Sequence, residues 1–153
     1  MLARIRSLLF TPEAPLPDAD PLPAAAAALL IEAAVMDGDF DADERAVIAD
    51  LLGRRFDLEP GEVATLIEDG ERAVAQSVEL YGTTRVLKDG LDHQGRLEVM
   101  EMLWQVVLAD GELHDYEANL VRRVAGLLHV PDKEAGEARK KAIRRLDFDP
   151  GAA

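Results

Sequence analysis

The sequence predicts a single all-α domain of about seven helices, built from two related copies of one helical unit. Apolar residues recur at helical spacing along most of the chain, and no convincing run of alternating apolar and polar residues indicates a strand. One acidic segment also occurs twice. At 153 residues, without cysteine, the chain suits one domain whose stability comes from a hydrophobic core.

The two copies of the acidic segment are separated by 73 residues, so that Asp110-Gly111 falls on Asp37-Gly38 and Glu117 falls on Glu44. The first copy reads AVMDGDFDADERAVIADLLG over residues 34–53, and the second reads VLADGELHDYEANLVRRVAG over residues 107–126. Each copy has the pattern of a helix end, an acidic loop and a following helix. Two such units predict a domain with pseudo-twofold character.

The charge balance restricts the class of partner. The chain has 30 acidic and 17 basic residues and a net charge of −13, which disfavours binding to nucleic acid because that affinity depends on Lys and Arg contacts to phosphates. No stretch approaches the roughly 20 apolar residues that a transmembrane helix needs. We therefore expect a cytoplasmic protein, with a cation or a protein as partner and no more than peripheral contact with a membrane.

The sequence divides into an N-terminal amphipathic arm with a Pro-rich linker, residues 1–21, and a helical domain, residues 22–150. The arm begins MLARIRSLLF, and residues 11–23 hold five of the eight prolines. Docking of the arm on its own domain is the favoured interpretation, with a weak membrane-surface or partner-binding helix as the alternative. The helices of the domain are predicted near residues 22–37, 41–55, 60–80, 83–92, 95–110, 114–129 and 131–146.

Four acidic residues of the repeated motif, Asp37, Glu44, Asp110 and Glu117, are distinguished from the other acids by their position on the helices. Each lies three, four or seven residues from apolar residues and therefore on the apolar face of its helix. An inward-facing carboxylate must be hydrogen-bonded, paired or bound to a metal, because an unpaired buried charge is very costly.

Two interpretations of these carboxylates remain open. The first is helix capping, since Asp41 followed by Glu44 forms a D-x-x-E capping-box pattern. The second is binding of a divalent cation, since clustered oxygen donors suit Ca²⁺, Mg²⁺ or Mn²⁺ and His114 offers a nitrogen for Zn²⁺ or Mn²⁺. The spacing does not match an EF-hand. Besides the four residues of the motif, the further candidate ligands are Asp39, Asp41, Glu112 and His114.

The paired pattern [AV]-x-x-D-G-x-[FL]-x-x-x-E resembles the TerB superfamily, which includes the tellurite-resistance protein TerB and the helical N-terminal domain of a membrane co-chaperone. The resemblance covers roughly residues 25–146 and is strongest to a group of short bacterial TerB-like proteins. It implies an all-α domain of about seven helices, a setting in stress response, and metal binding through Asp37, Glu44, Asp110 and Glu117. Direct reduction or trapping of tellurite is disfavoured because the chain has no cysteine.

The sequence thus predicts a non-enzymatic, TerB-like module that binds a divalent cation, a protein partner, or both through the paired acidic loops. One alternative is a pure interaction scaffold in which the acidic motifs only cap helices. The other is a metal-dependent hydrolase that uses the same carboxylates with a bound water. A homo-oligomer is compatible with each of these.

Overall fold

The computed structural model describes residues 20–36, 40–76, 80–109 and 113–147, and all regular structure within them is helical. This confirms the predicted all-α class. The described residues form seven helices: α1 (Pro21–Val35), α2 (Ala42–Phe56), α3 (Pro60–Ala75), α4 (Leu80–Gly90), α5 (His93–Val107), α6 (Asp115–Leu127) and α7 (Asp132–Asp147).

The first helix begins where the linker was predicted to end. The Asp20 side chain accepts a hydrogen bond of 2.9 Å from the backbone N–H of Leu22 and so caps α1. Pro21 stands at the first helical position, which tolerates a residue without a backbone N–H. The arm and nearly all of the linker, residues 1–19, lie outside the described residues.

Helices α1 and α5 form the centre of the domain. Helix α1 packs against α2, α3, α4 and α5, while α5 also contacts α2, α6 and α7. Both are apolar around most of their circumference, as expected for helices with neighbours on several sides. Their fully buried side chains include Leu29, Leu30, Ile31, Val99, Met100 and Leu103.

The two copies of the sequence motif correspond to two three-helix units. In the first unit α3 packs along α1, and in the second unit α7 packs along α5. Helix α4 lies between the units in the sequence and contacts α1 and α6. The predicted grouping of three helices in each copy is confirmed. The tight contact of α3 with α1 depends on Gly70, because a Cβ atom there would stand 2.6 Å from Cδ1 of Ile31.

Some helix boundaries differ from the prediction. The third helix ends at Ala75 rather than near residue 80, and the fourth begins at Leu80 rather than residue 83. The fifth begins at His93 rather than residue 95, because the Asp92 side chain accepts a 2.8 Å hydrogen bond from the N–H of Gly95 and fixes the start. None of the helices in the described ranges is long and apolar enough to cross a bilayer.

Candidate functional site

A pocket of about 290 Å³ lies where the start of α2 meets the end of α5 and the first turn of α6. We call it the acidic pocket. It brings together Glu44 and Glu117, the equivalent glutamates of the two motifs, which are 73 residues apart in the sequence. Its lining consists of Asp41, Asp43, Glu44, Val47, Val106, Val107, Ala109 and Glu117.

The start of α2 positions the first glutamate through a capping box. The backbone N–H of Glu44 donates to Oδ1 of Asp41 at 2.8 Å, and the backbone N–H of Asp41 donates to Oε1 of Glu44 at 3.3 Å. The capping interpretation of this pair is therefore confirmed. The Glu44 side chain is half-buried, so the capping contact holds it at the pocket wall while leaving it accessible from the pocket.

The start of α6 positions the second glutamate in a related way. The backbone N–H of His114, the N-cap residue, donates to Oε1 of Glu117 at 3.3 Å. Glu117 is only 6% exposed and is thus among the few buried acidic residues in the described part of the chain. The His114 ring stacks on Tyr116 with centroids 5.3 Å apart, and His114 does not line the acidic pocket.

The acidic pocket is strongly anionic. Four carboxylates and no basic side chain occur among the described residues that line it. The nearby Arg45 is engaged away from the pocket, since its guanidinium forms an ion pair of 2.5 Å with Glu71 and lies 5.0 Å from the centre of the Phe40 ring. The N-terminal ends of α2 and α6 contribute partial positive charge, which offsets part of the repulsion among the acids.

Several of the predicted ligands cannot be placed. Asp37, Asp39, Asp110 and Glu112 lie outside the described residues. Within the described part of the chain, no group of three or more acidic or histidine side chains is arranged to hold a metal ion. Metal binding by the paired motifs therefore stays a prediction, while the meeting of Glu44 and Glu117 at one pocket is a feature of the fold.

The same capping hydrogen bond also occurs outside the motif. At the start of α3 the backbone N–H of Glu59 donates to Oε1 of Glu62 at 3.0 Å, although this helix does not follow an Asp-Gly motif. A glutamate at the third helical position can therefore cap a helix without taking part in the acidic pocket. This makes Glu62 a natural control for the two glutamates of the motifs.

Sequence reasoning missed part of the pocket. Asp43 was not among the predicted ligands, although it lies in the acidic run that precedes Glu44. The apolar wall formed by Val106, Val107 and Ala109 had no recognisable signal, because it depends on how the end of α5 packs beside α2.

A larger pocket of about 480 Å³ lies between α2, α5 and α7, and its charges are paired within the protein. Nε of Arg55 lies 2.6 Å from Oε2 of Glu98, and Arg145 of α7 pairs with the buried Glu101. Arg139 of the same helix lies 5.7 Å from the centre of the Trp104 ring. Arg145 and Arg139 thus join α7 to α5, and Trp104 is buried, with 9% of its surface exposed.

Comparison with known proteins agrees with this architecture. The sequence profile of a family described as tellurite resistance protein TerB matches residues 23–140. The crystal structure of PG1108, a protein of unknown function from Porphyromonas gingivalis W83, has a TM-score of 0.58 and 19% identity. The match covers 83% of this chain and 99% of that one, and at such identity it shows the fold alone. Among curated proteins none matches this chain.

Proposed function

The chain belongs to the TerB family, and on this premise we propose that it is a non-enzymatic, cytoplasmic, stress-associated module that binds a divalent cation through its two acidic motifs. One observation carries the proposal: Glu44 and Glu117, equivalent in the two motifs, line the same anionic pocket. Because both copies of the motif contribute a glutamate to this pocket, it is the candidate site for a function that the two copies share.

The chemistry of the pocket favours a hard cation. Carboxylate oxygens are preferred ligands of Ca²⁺, Mg²⁺ and Mn²⁺, and Asp41 and Asp43 add two more carboxylates to the same lining. A cation bound there would neutralise repulsion among acids that line the same pocket. In this proposal Asp37 and Asp110 complete the set of ligands from the loops that precede α2 and α6.

Helix capping and cation binding are compatible at these glutamates. A carboxylate has two oxygens with about four acceptor positions, so it can accept a backbone hydrogen bond and bind a cation at the same time. The capping bonds to Oε1 of Glu44 and Oε1 of Glu117 then serve to orient the ligands. Zn²⁺ is a less suitable ion in this proposal, because His114 stacks on Tyr116 and does not line the pocket.

The direct test is thermal unfolding of chelator-treated protein with Ca²⁺, Mg²⁺, Mn²⁺ or Zn²⁺ added in turn. An ion that binds only the folded state, at 100 times its Kd, stabilises a domain of this size by about 2.7 kcal/mol, or roughly 5–10 °C in Tm. We expect such a rise with one of the three oxygen-preferring ions. The proposal is wrong if none of the four ions raises the Tm.

The double variant Glu44→Gln, Glu117→Gln separates binding from capping. Glutamine still accepts the capping hydrogen bond but is a weaker ligand than a carboxylate, so we expect a folded protein whose Tm no longer responds to the ion. Glu62→Gln is the matched control, because Glu62 makes the same capping bond outside the acidic pocket. An unchanged ion response in the double variant would place the ion elsewhere.

A second candidate function is a protein-interaction scaffold, and exposed apolar side chains beside the two motifs support it. Met36 of the first copy is 39% exposed, while Leu113 and Tyr116 of the second copy are 37% and 38% exposed. Exposed apolar side chains within acidic motifs suit a partner with basic and apolar residues, or a second copy of this chain. Sedimentation velocity over a range of concentrations tests self-association, which Leu113→Glu should abolish.

A further inference from the structure

An apolar groove of about 430 Å³ runs between α2 and α3, on a different face from the acidic pocket. We call it the α2–α3 groove. Its walls come from small and aliphatic side chains that leave room between the two helices, and none of the carboxylates of the acidic pocket lines it. The apolar part of the lining includes Ala49, Gly53, Leu58, Val63, Ala64 and Ile67.

The charged residues at the rim of this groove are already paired. Arg45 forms an ion pair with Glu71, and Arg54 forms an ion pair of 2.9 Å with Asp50. The rim thus carries little net charge, so attraction to the groove itself comes from burial of apolar surface. A suitable occupant is a short segment with several aliphatic or aromatic side chains.

The second repeat does not reproduce this groove at the equivalent positions. With the offset of 73 residues, Ala49 and Asp50 correspond to Arg122 and Arg123, both of which are exposed on α6. Packing between α2 and α3 is also more extensive than packing between α6 and α7. The apolar groove is therefore a property of the first unit and is not explained by the symmetry of the repeat.

We propose that the N-terminal arm of the same chain, residues 1–10, docks in the α2–α3 groove. The arm has the apolar character that suits the groove, because six of its ten residues are large and apolar. Its two arginines and lack of acidic residues also favour association with a chain whose net charge is −13. The apolar residues of the arm are Met1, Leu2, Ile5, Leu8, Leu9 and Phe10.

The length of the connection allows this docking within one molecule. Residues 11–19 join the arm to Asp20, the cap of α1, and include three prolines. At about 3.1 Å per residue, an extended Pro-rich segment of this length spans roughly 28 Å. Helix α1, with 15 residues, is about 22 Å long. The tether is therefore longer than a helix of the domain, which is compatible with docking of the arm within one molecule.

Trypsin cleavage of the intact chain after Arg4 and Arg6, followed by mass spectrometry, tests the proposal. A docked arm is protected, so the wild-type arm should be cleaved slowly. Ala64→Glu places a charge on the exposed wall of the groove and should accelerate cleavage by about tenfold, since proteolysis follows the population of the undocked state. Ala46→Glu is the matched control, because Ala46 is an exposed residue at the equivalent position of α2 and does not line the groove.

A second variant, Leu9→Asp, removes apolar character from the arm without touching the folded domain and should have the same effect as Ala64→Glu. Rapid cleavage of the wild-type arm would overturn the proposal, as would slow cleavage that neither variant accelerates. Protection that appears only at high protein concentration would assign the groove to the arm of a second copy and contradict docking within one chain.

Discussion

The two acidic motifs begin their helices with the same glutamate but with different residues before it. In the first motif Asp41 caps α2 with its side chain, and Glu44 is half-buried. In the second motif His114 stands at the cap position, and Glu117 is 6% exposed. In both, the glutamate accepts a hydrogen bond of 3.3 Å from the backbone N–H of the cap residue.

The comparison shows which features the two motifs have in common and which belong to one motif only. The aspartate cap varies, whereas the glutamate and its backbone contact are retained in both copies and both glutamates line one pocket. Capping alone does not require a glutamate at the third helical position. Asp92 caps α5, where that position is Gly95. The shared position at the acidic pocket is the reason we assign the glutamates a common role.

The largest expected effect tests whether the two units contribute equally to the core. Leu30 of α1 and Leu103 of α5 are equivalent under the repeat, and both are fully buried. Replacing either with alanine leaves a cavity and should lower the free energy of unfolding by about 2–5 kcal/mol. Urea denaturation measures both losses. A loss below about 1 kcal/mol at one site only would show that the units are not equivalent in the core.

A smaller effect tests how much the first motif depends on its aspartate cap. Asp41→Ala removes the 2.8 Å contact to the N–H of Glu44 and should cost about 0.5–2 kcal/mol of stability. Asp92→Ala is the control, because Asp92 makes a cap contact of the same length outside the acidic pocket. We expect similar losses from both in the absence of metal, and a weaker response to the ion for Asp41→Ala alone.

An unchanged stability of Asp41→Ala would mean that the Glu44 contact by itself is a sufficient cap. The first motif would then resemble the second, in which no aspartate stands at the cap position. An equally weakened ion response in Asp92→Ala would show that the effect comes from loss of stability and not from the pocket.

Much of the fold could be predicted from the sequence because helical periodicity and the repeat are local signals. The grouping of α1 to α3 and α5 to α7, and the capping box of Asp41 and Glu44, follow from spacing alone. Boundaries were less accurate where a single cap decides the start, as Asp92 does for α5. The predicted third helix extended past Ala75, because apolar spacing continues beyond the point where the helix ends.

The site could be predicted only in part. The apolar phase of Glu44 and Glu117 indicated that both face inward, and the repeat indicated that they are equivalent. The wall formed by Val106, Val107 and Ala109, and the α2–α3 groove, arise from contacts between helices that are distant in the sequence. Such contacts leave no periodic pattern in the sequence, so only the structure shows them.

The central claim is that the two motifs form one cation site, and the number of ions bound per chain tests it most directly. Isothermal titration calorimetry of the chelator-treated protein with the stabilising ion should give one ion per chain, and either Glu44→Gln or Glu117→Gln alone should weaken that binding at least about tenfold. Two ions per chain, with each substitution removing one of them, would show two separate loops. No binding in the intact protein would leave the glutamates as helix caps and contradict the claim.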